Sequence, residues 1–285
     1  MIRSMAFYLK VSRPGLWFQT VWLYLLPTSG MAVLDSPRFW FGLVYMTFPV
    51  NFLMYGWNDM VDAETDRLNP RKDSWLWGAC GSAEQLRRLP LPMALVQLPF
   101  VAALLYLSGW PMLLLLTGVL LANGLYNLPR HGWRSKPPLE LVVVTAMLLI
   151  LPISSWLNQL PGVPWPSYAY LWLFCLKAHL MGEIMDLIPD HQAGRRTTAI
   201  AIGERATKLV IMALLVMESF ILAFFFAEWV LVSFMAFALG WLIYDFFALA
   251  RDGAYSPAQY RLLGIALNLS GYASIGYVWL SGKLV

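Results

Sequence analysis

Residues 141–153 read LVVVTAMLLILPI, and residues 209–217 read LVIMALLVM. Neither run contains a charge, and neither alternates apolar with polar positions. Strands of a membrane barrel show that alternation, with one face to lipid and the other to the lumen. Unbroken apolar runs mark helices that satisfy their own backbone hydrogen bonds in lipid, each about 20 residues long. Working outward, runs of that length recur near 16–34, 38–57, 90–108, 111–128, 138–157, 166–185, 208–227, 229–249 and 262–281. The sequence therefore predicts an all-α polytopic membrane protein of nine transmembrane helices. Arg13-Pro14 comes just before the first full-length run and no small-residue cleavage site follows, so the N-terminal stretch reads as a span and not as a cleaved signal.

Composition agrees. The 285 residues are 59% hydrophobic and 13% charged, with a mean hydropathy of +0.61, whereas soluble domains carry about 25% charged residues. So few charges cannot coat a globule of this size, which excludes an ordinary soluble enzyme, a disordered chain and a nucleic-acid binder. The formal charge of +4 has another origin. Arg3, Lys10 and Arg13 precede the first span; Arg67, Arg71, Lys72, Arg87 and Arg88 follow the second. Arg130, Arg134 and Lys136 follow the fourth, Arg195, Arg196, Arg205 and Lys208 the sixth, and Arg251 and Arg261 flank the eighth connection. Nine alternating helices place all of these on one side and leave Arg38 and Lys283 on the other, with Lys177 inside a span. The positive-inside rule then puts the N-terminus in the cytoplasm and the C-terminus outside a cytoplasmic (inner) membrane. Cys80 and Cys175 are too few for a disulfide framework, and the spacing of His131, His179 and His191 matches no zinc pattern.

Seven of the 16 acidic residues fall in two short stretches, NDMVDAETDR at 58–67 and EIMDLIPD at 183–190. On a helix Asn58, Asp62 and Asp66 share one face, with Asp59 beside them. Like charges stacked at that spacing repel unless cations neutralise them. Asp186 and Asp190 are again four apart, with Pro189 predicted to kink or end the helix. Carboxylates with an amide at a water-accessible mouth are hard oxygen ligands suited to Mg²⁺, which binds through a few carboxylates plus substrate phosphates. Two such clusters beside basic loops predict a site for a diphosphate bridged by metal ions. Each cluster precedes a basic loop, at 69–72 and at 194–198. That repetition suggests two halves, about 1–136 and 137–285, of a single membrane-embedded domain with both clusters over a central cavity.

NDMVDAETD resembles the NDxxDxxxD motif of the UbiA superfamily of intramembrane prenyltransferases, and DLIPDHQAGRRTTAIAIG resembles its second DxxxD motif. The likeness extends to Ser12-Arg13-Pro14, to Leu125-Tyr126-Asn127 and to Pro129, Arg134 and Lys136, and so covers most of the chain. It implies a nine-helix bundle with a cytoplasmic cap over a central cavity. It also implies Mg²⁺-dependent transfer of a prenyl chain from a polyprenyl diphosphate to a lipophilic acceptor through an allylic carbocation. By the same resemblance Asn58, Asp59, Asp62 and Asp66 hold metal and diphosphate, and Asp186 and Asp190 hold a second metal with Glu183 as helper. Arg13, Arg67, Arg71, Lys72, Arg134 and Lys136 are the cationic partners of the diphosphate. Tyr126 offers its ring face to the carbocation. Asn69-Pro70-Arg71-Lys72, and a proline immediately before Asp190, are most similar to the lycopene elongase-like branch. That favours a carotenoid-like acceptor over an aromatic quinone precursor.

Two alternatives stand beside this reading. One is a cyclase of the same family, using the ionisation site with no acceptor. The other is an ion-coupled transporter, disfavoured because transporters place coupling residues near the midplane whereas these acids sit at helix ends. Glu218 and Asp245 fall inside spans seven and eight, where ionisable residues are functional by default. His179 lies one turn from Glu183 and near Lys177. Hydrogen bonding within the bundle is the simpler reading of that trio; a general base for proton loss from the alkylated acceptor is the sharper one.

Overall fold

The computed structural model describes residues 2–129, 132–249 and 255–285; Arg130, His131 and Arg251 lie outside the described residues. Helices and short 3₁₀ or π turns make up the secondary structure described, apart from one isolated antiparallel bridge between Ser74 and Gly78. The helices run α1 (Ile2–Val11), α2 (Trp17–Leu25), α3 (Pro37–Tyr45), α4 (Phe48–Leu68), α5 (Ala83–Arg87), α6 (Pro90–Ser108), α7 (Trp110–Asn127) and α8 (Leu139–Val144). They continue as α9 (Ile150–Asn158), α10 (Trp165–Met185), α11 (Leu187–Gln192), α12 (Thr198–Ile202), α13 (Glu204–Phe226), α14 (Trp229–Tyr244) and α15 (Pro257–Ser281).

Among the described residues six stretches are long and apolar enough to cross a membrane. They are Ala83–Ser108, Trp110–Asn127, Leu139–Asn158, Glu204–Phe226, Trp229–Leu249 and Pro257–Ser281. The other three apolar runs look different for identifiable reasons. The first breaks after α2 into a 3₁₀ turn at Leu26–Thr28, around Pro27. The second is split into α3 and α4, and the third, α10, carries Lys177, His179 and Glu183 within its 21 residues.

Proline explains the breaks that shape the site. A proline ring clashes with the carbonyl four residues earlier. Pro49 sits at the start of α4, and the residue four before it, Tyr45, is the last of α3. Pro189 sits in α11, and the residue four before it, Met185, is the last of α10. The sequence expectation of a break near Pro189 therefore holds, with the turn falling at Asp186. The freed carbonyl of Met185 accepts a hydrogen bond from the Tyr260 hydroxyl at 2.9 Å, which ties this break to α15.

The bundle is closed by its last helix: α15 packs on α2, while α13 packs on both α10 and α14. The main core draws buried residues from both halves, including Trp22, Phe39 and Leu104 with Tyr170, Leu222 and Ile275. Packing is tight where α3 crosses α2 and α9. A Cβ built on Gly42 would lie 2.3 Å from the Tyr24 hydroxyl oxygen and 2.6 Å from a Leu157 methyl. Gly42→Ala is accordingly expected to destabilise the protein by about 1–3 kcal/mol through overpacking. Gly240→Ala, on α14 with open space around it, should be neutral or slightly stabilising, since alanine is the better helix former. Thermal unfolding of the two variants in detergent checks the contrast.

Candidate active site

Six elements converge at one end of the bundle. The C-terminal half of α4 presents the first acidic cluster. The α10–α11 junction presents the second. The link between α1 and α2, the loop after α4, the 3₁₀ turn Trp133–Ser135 and the loop between α11 and α12 supply the bases. Because α4 stays helical through Leu68, Asn58, Asp62 and Asp66 do stack at four-residue intervals. The Asn58 amide donates to Asp62 at 2.9 Å and to Asn127 at 3.3 Å.

Asp59, Asp62 and Asp66 of the first cluster are each met by a cation. Arg13 donates to Asn58 at 3.0 Å and to Asp59 at 2.6 Å, with its guanidinium 4.5 Å from the Tyr55 ring centroid. The backbone at Arg13 is left-handed, and the side chain lies flat against Gly78, where a Cβ would come within 3.0 Å of it. Lys72 bridges Asp59 at 2.9 Å and Asp66 at 2.7 Å, and its side chain is 4% exposed. Asp62 is gripped by two guanidinium groups, those of Arg134 and Arg195.

The second cluster is wired to the first by the same cations. Arg195 reaches from Asp62 to Asp190 at 3.1 Å. Arg71, beside Lys72 in the loop, donates through Nε to Asp186 at 2.9 Å and through Nη2 to its other oxygen. Asn69 adds a bond to Asp186 at 2.6 Å. Burial, reinforced by the neighbouring Asp186, holds the Asp190 carboxyl up to about 7, far above an ordinary aspartate. Beside Arg134 and Arg195 a cleft of about 340 Å³ opens along Met60, Val61 and Glu64.

Other expected residues stand elsewhere. Arg67 is exposed on the outer face of α4, one position past the buried stripe, and Lys136 is exposed after its 3₁₀ turn. Tyr126 lies under the clusters, meeting His179 edge-on with ring centroids 6.0 Å apart. Glu183, the expected metal helper, is engaged by α12 and His179. One oxygen accepts the Ala199 amide at 2.8 Å and the other stands 3.2 Å from His179 Nε2. Glu218 pairs with Lys177, and Asp245 with Lys208 at 2.9 Å.

Sequence reasoning missed two residues. Arg195 was noted only as part of a basic loop, although it joins the motifs. Glu140, wholly buried, accepts the Thr198 amide at 2.8 Å and its hydroxyl at 2.6 Å. Glu140 and Glu183 together hold the first amides of α12, and so fix the loop that carries Arg195. A lone acid opening an apolar run was the available signal for Glu140.

The arrangement is a buried set of hard oxygen donors interleaved with five cationic side chains. Among the described residues no three carboxylate, imidazole or thiol groups converge as a metal-ligating set, since the acids face bases instead. The donor chemistry nevertheless suits a hard divalent cation, and Asp59 keeps one buried oxygen without a partner.

Comparison with known proteins supplies the family. Residues 16–270 match the sequence pattern of the UbiA prenyltransferase family. A lycopene elongase/hydratase of Haloarcula japonica is 29% identical over 234 residues, covering 79% of this chain and 76% of that protein. A lycopene elongase/hydratase of Corynebacterium glutamicum is 27% identical over 209 residues, 72% of each chain. Among solved structures, a UbiA homologue from Archaeoglobus fulgidus bound to GPP and Mg²⁺ superposes with a TM-score of 0.65 at 18% identity, over 94% of this chain and 99% of that one. Its DMAPP and Mg²⁺ complex gives 0.66 at 18% identity, over 95% and 99%. The all-helical fold, the paired acidic motifs and a match over nearly the whole length lead to one conclusion: this chain is a prenyltransferase that belongs to the UbiA family.

Proposed function

We propose that this enzyme transfers a prenyl group from a prenyl diphosphate to a lycopene-like carotenoid, with Mg²⁺ at the two acidic motifs. The observation that carries the reading is the sharing of cations between the motifs, with Arg195 on both Asp62 and Asp190. The curated relatives named above as lycopene elongase/hydratases support the acceptor class. The GPP and DMAPP held with Mg²⁺ by the structural neighbours support the donor class.

Asn58, Asp59, Asp62, Asp66, Asp186 and Asp190 are the residues to hold Mg²⁺, which supplies positive charge against the departing diphosphate. Glu183 is left out of that set because α12 engages it. Arg13, Arg71, Lys72, Arg134 and Arg195 turn from the carboxylates to the diphosphate oxygens as charge-assisted donors. Their donors then stabilise the charge that develops as the C–O bond breaks, the largest expected catalytic contribution. Arg67 and Lys136 stand at the rim, where they steer an anion inward. The Tyr126 ring faces the allylic cation, and the apolar bundle beneath excludes water from it.

The same reading keeps all nine apolar runs as membrane passes of one catalytic domain in two halves, with N-terminus and active site at the cytoplasm. The basic residues on a single side of a nine-pass topology support it.

Membranes containing the protein, incubated with a labelled prenyl diphosphate, should release diphosphate only with Mg²⁺. Mass analysis of the extracted lipids should find a carotenoid that carries an added prenyl unit. Release that ignores Mg²⁺ overturns the metal role. Release with a cyclised prenyl product and no adduct assigns the cyclase alternative instead.

A further inference from the structure

The mechanism above leaves one question: what becomes of the cation created on the acceptor. When the terminal double bond of a polyene attacks the prenyl carbon, its electron pair forms the new C–C bond. A tertiary cation remains on the neighbouring acceptor carbon. It must lose a proton or take up water.

Beneath the motifs the structure holds a polar pair with nothing to do in phosphate binding. His179 Nε2 and Glu183 Oε1 are buried, 3.2 Å apart, and neither makes a hydrogen bond. The other Glu183 oxygen accepts the Ala199 amide, which holds the carboxylate against the imidazole. A water molecule beside this pair would meet two buried polar atoms that have no hydrogen-bond partner. The location fits the reaction. His179 meets the ring of Tyr126 edge-on, and Tyr126 adjoins Asn127, which accepts the Asn58 amide of the first motif. Along α10, His179 lies about 10 Å below Asp186, seven residues at the helical rise. The titratable groups that face this pair are Tyr126 from α7 and, through Thr198, Glu140 from α8.

We propose that His179, oriented by Glu183, accepts the proton of a water molecule that quenches the acceptor cation. The inference rests on the carotenoid prenyltransferase reading. The C–O pair of the donor leaves with diphosphate, and the acceptor double bond supplies the new C–C bond. Water oxygen supplies the C–O bond of a tertiary alcohol, and its proton passes to Nε2. The Glu183 carboxylate stabilises the resulting imidazolium until the proton reaches solvent. Acceptor, prenyl diphosphate and water thus give prenylated alcohol, diphosphate and one proton. Glu183 is a positioning residue and His179 the proton acceptor.

The test is product partition in isotopically labelled water, with a labelled prenyl diphosphate and lycopene. The wild type should give a prenylated alcohol carrying the water label. His179→Gln and His179→Leu should shift the ratio of alcohol to alkene toward alkene by about 10²-fold, the usual worth of one general base. Glu183→Gln should shift it the same way by less. His179→Gln preserves size and polarity, and is the deciding variant if His179→Leu fails to accumulate. A ratio equal to wild type, or loss of both products together, overturns the assignment. A wild-type adduct that carries no water label overturns it while leaving prenyl transfer intact. No adduct from the wild type overturns the underlying reading instead.

Discussion

Asp62→Ala should lower the rate of Mg²⁺-dependent prenyl transfer by about 10³-fold, at the upper end of what removing one preorganised electrostatic group costs. No other carboxylate among the described residues of the site meets two guanidinium groups. Asp62 accepts from Asn58 and grips both Arg134 and Arg195. Arg195 also holds Asp190, so Asp62 is where the two motifs are joined. Removing it deletes a proposed metal ligand and leaves two largely buried guanidinium groups in mutual repulsion. Asp62→Asn is the informative companion, because it keeps the volume and loses the charge. Both are read by initial rates of labelled diphosphate release from protein that elutes as wild type. A rate within threefold of wild type in either variant removes Asp62 from the mechanism.

The second large effect lies in the bundle below the acidic motifs. Lys177 and Glu218 pair in the interior between α10 and α13, and Glu218 is fully buried. The Lys177 ammonium also contacts Met235 Sδ at 3.7 Å and stands 5.4 Å from the Phe174 ring centroid. Taking away one partner strands the other charge in a low-dielectric interior, which costs about 3–5 kcal/mol. Lys177→Met or Glu218→Leu alone should therefore sharply lower unfolding stability in detergent. The double variant Lys177→Met/Glu218→Leu replaces the pair with packed apolar groups and should return close to wild type or above it. A double variant as unstable as the singles would show that the pair does more than neutralise itself. Prenyl transfer measured on the restored double variant then says whether the pair also serves the reaction.

Much of this architecture was legible in the residues. The apolar runs gave helices, and the four-residue spacing of Asn58, Asp62 and Asp66 gave the stripe that α4 displays. Pro189 gave the break at the second motif. What spacing could not give was the partner of each acid. Arg67 and Arg71 are equally basic and follow the same motif. The helix turns Arg67 outward, while the loop folds Arg71 back onto Asp186, more than a hundred residues away. Arg195 was likewise one base in a pair, and only tertiary contact shows that it, with Arg134, closes on Asp62. Glu183 lies about one turn before Asp186, and its neighbours are the Ala199 amide of α12 and, 3.2 Å away, the His179 imidazole, neither of which sequence distance reveals. Two of the first spans were read as unbroken because their apolar character continues through Pro27 and Pro49, where the helix does not.

The shared salt bridges have a thermodynamic consequence. Every acid that would take a metal already holds an arginine or lysine, and every base that would take diphosphate already holds an acid. A divalent ion arriving alone must evict cations that then have no counter-charge in a buried site; a diphosphate arriving alone leaves carboxylates uncompensated. Arriving together, the two ligands let both sets exchange partners at once. Their binding is therefore positively coupled, and by reciprocity each raises the affinity of the other by the same factor. A site of this kind discriminates against free phosphates and free cations alike, and releases diphosphate most readily as its metal salt.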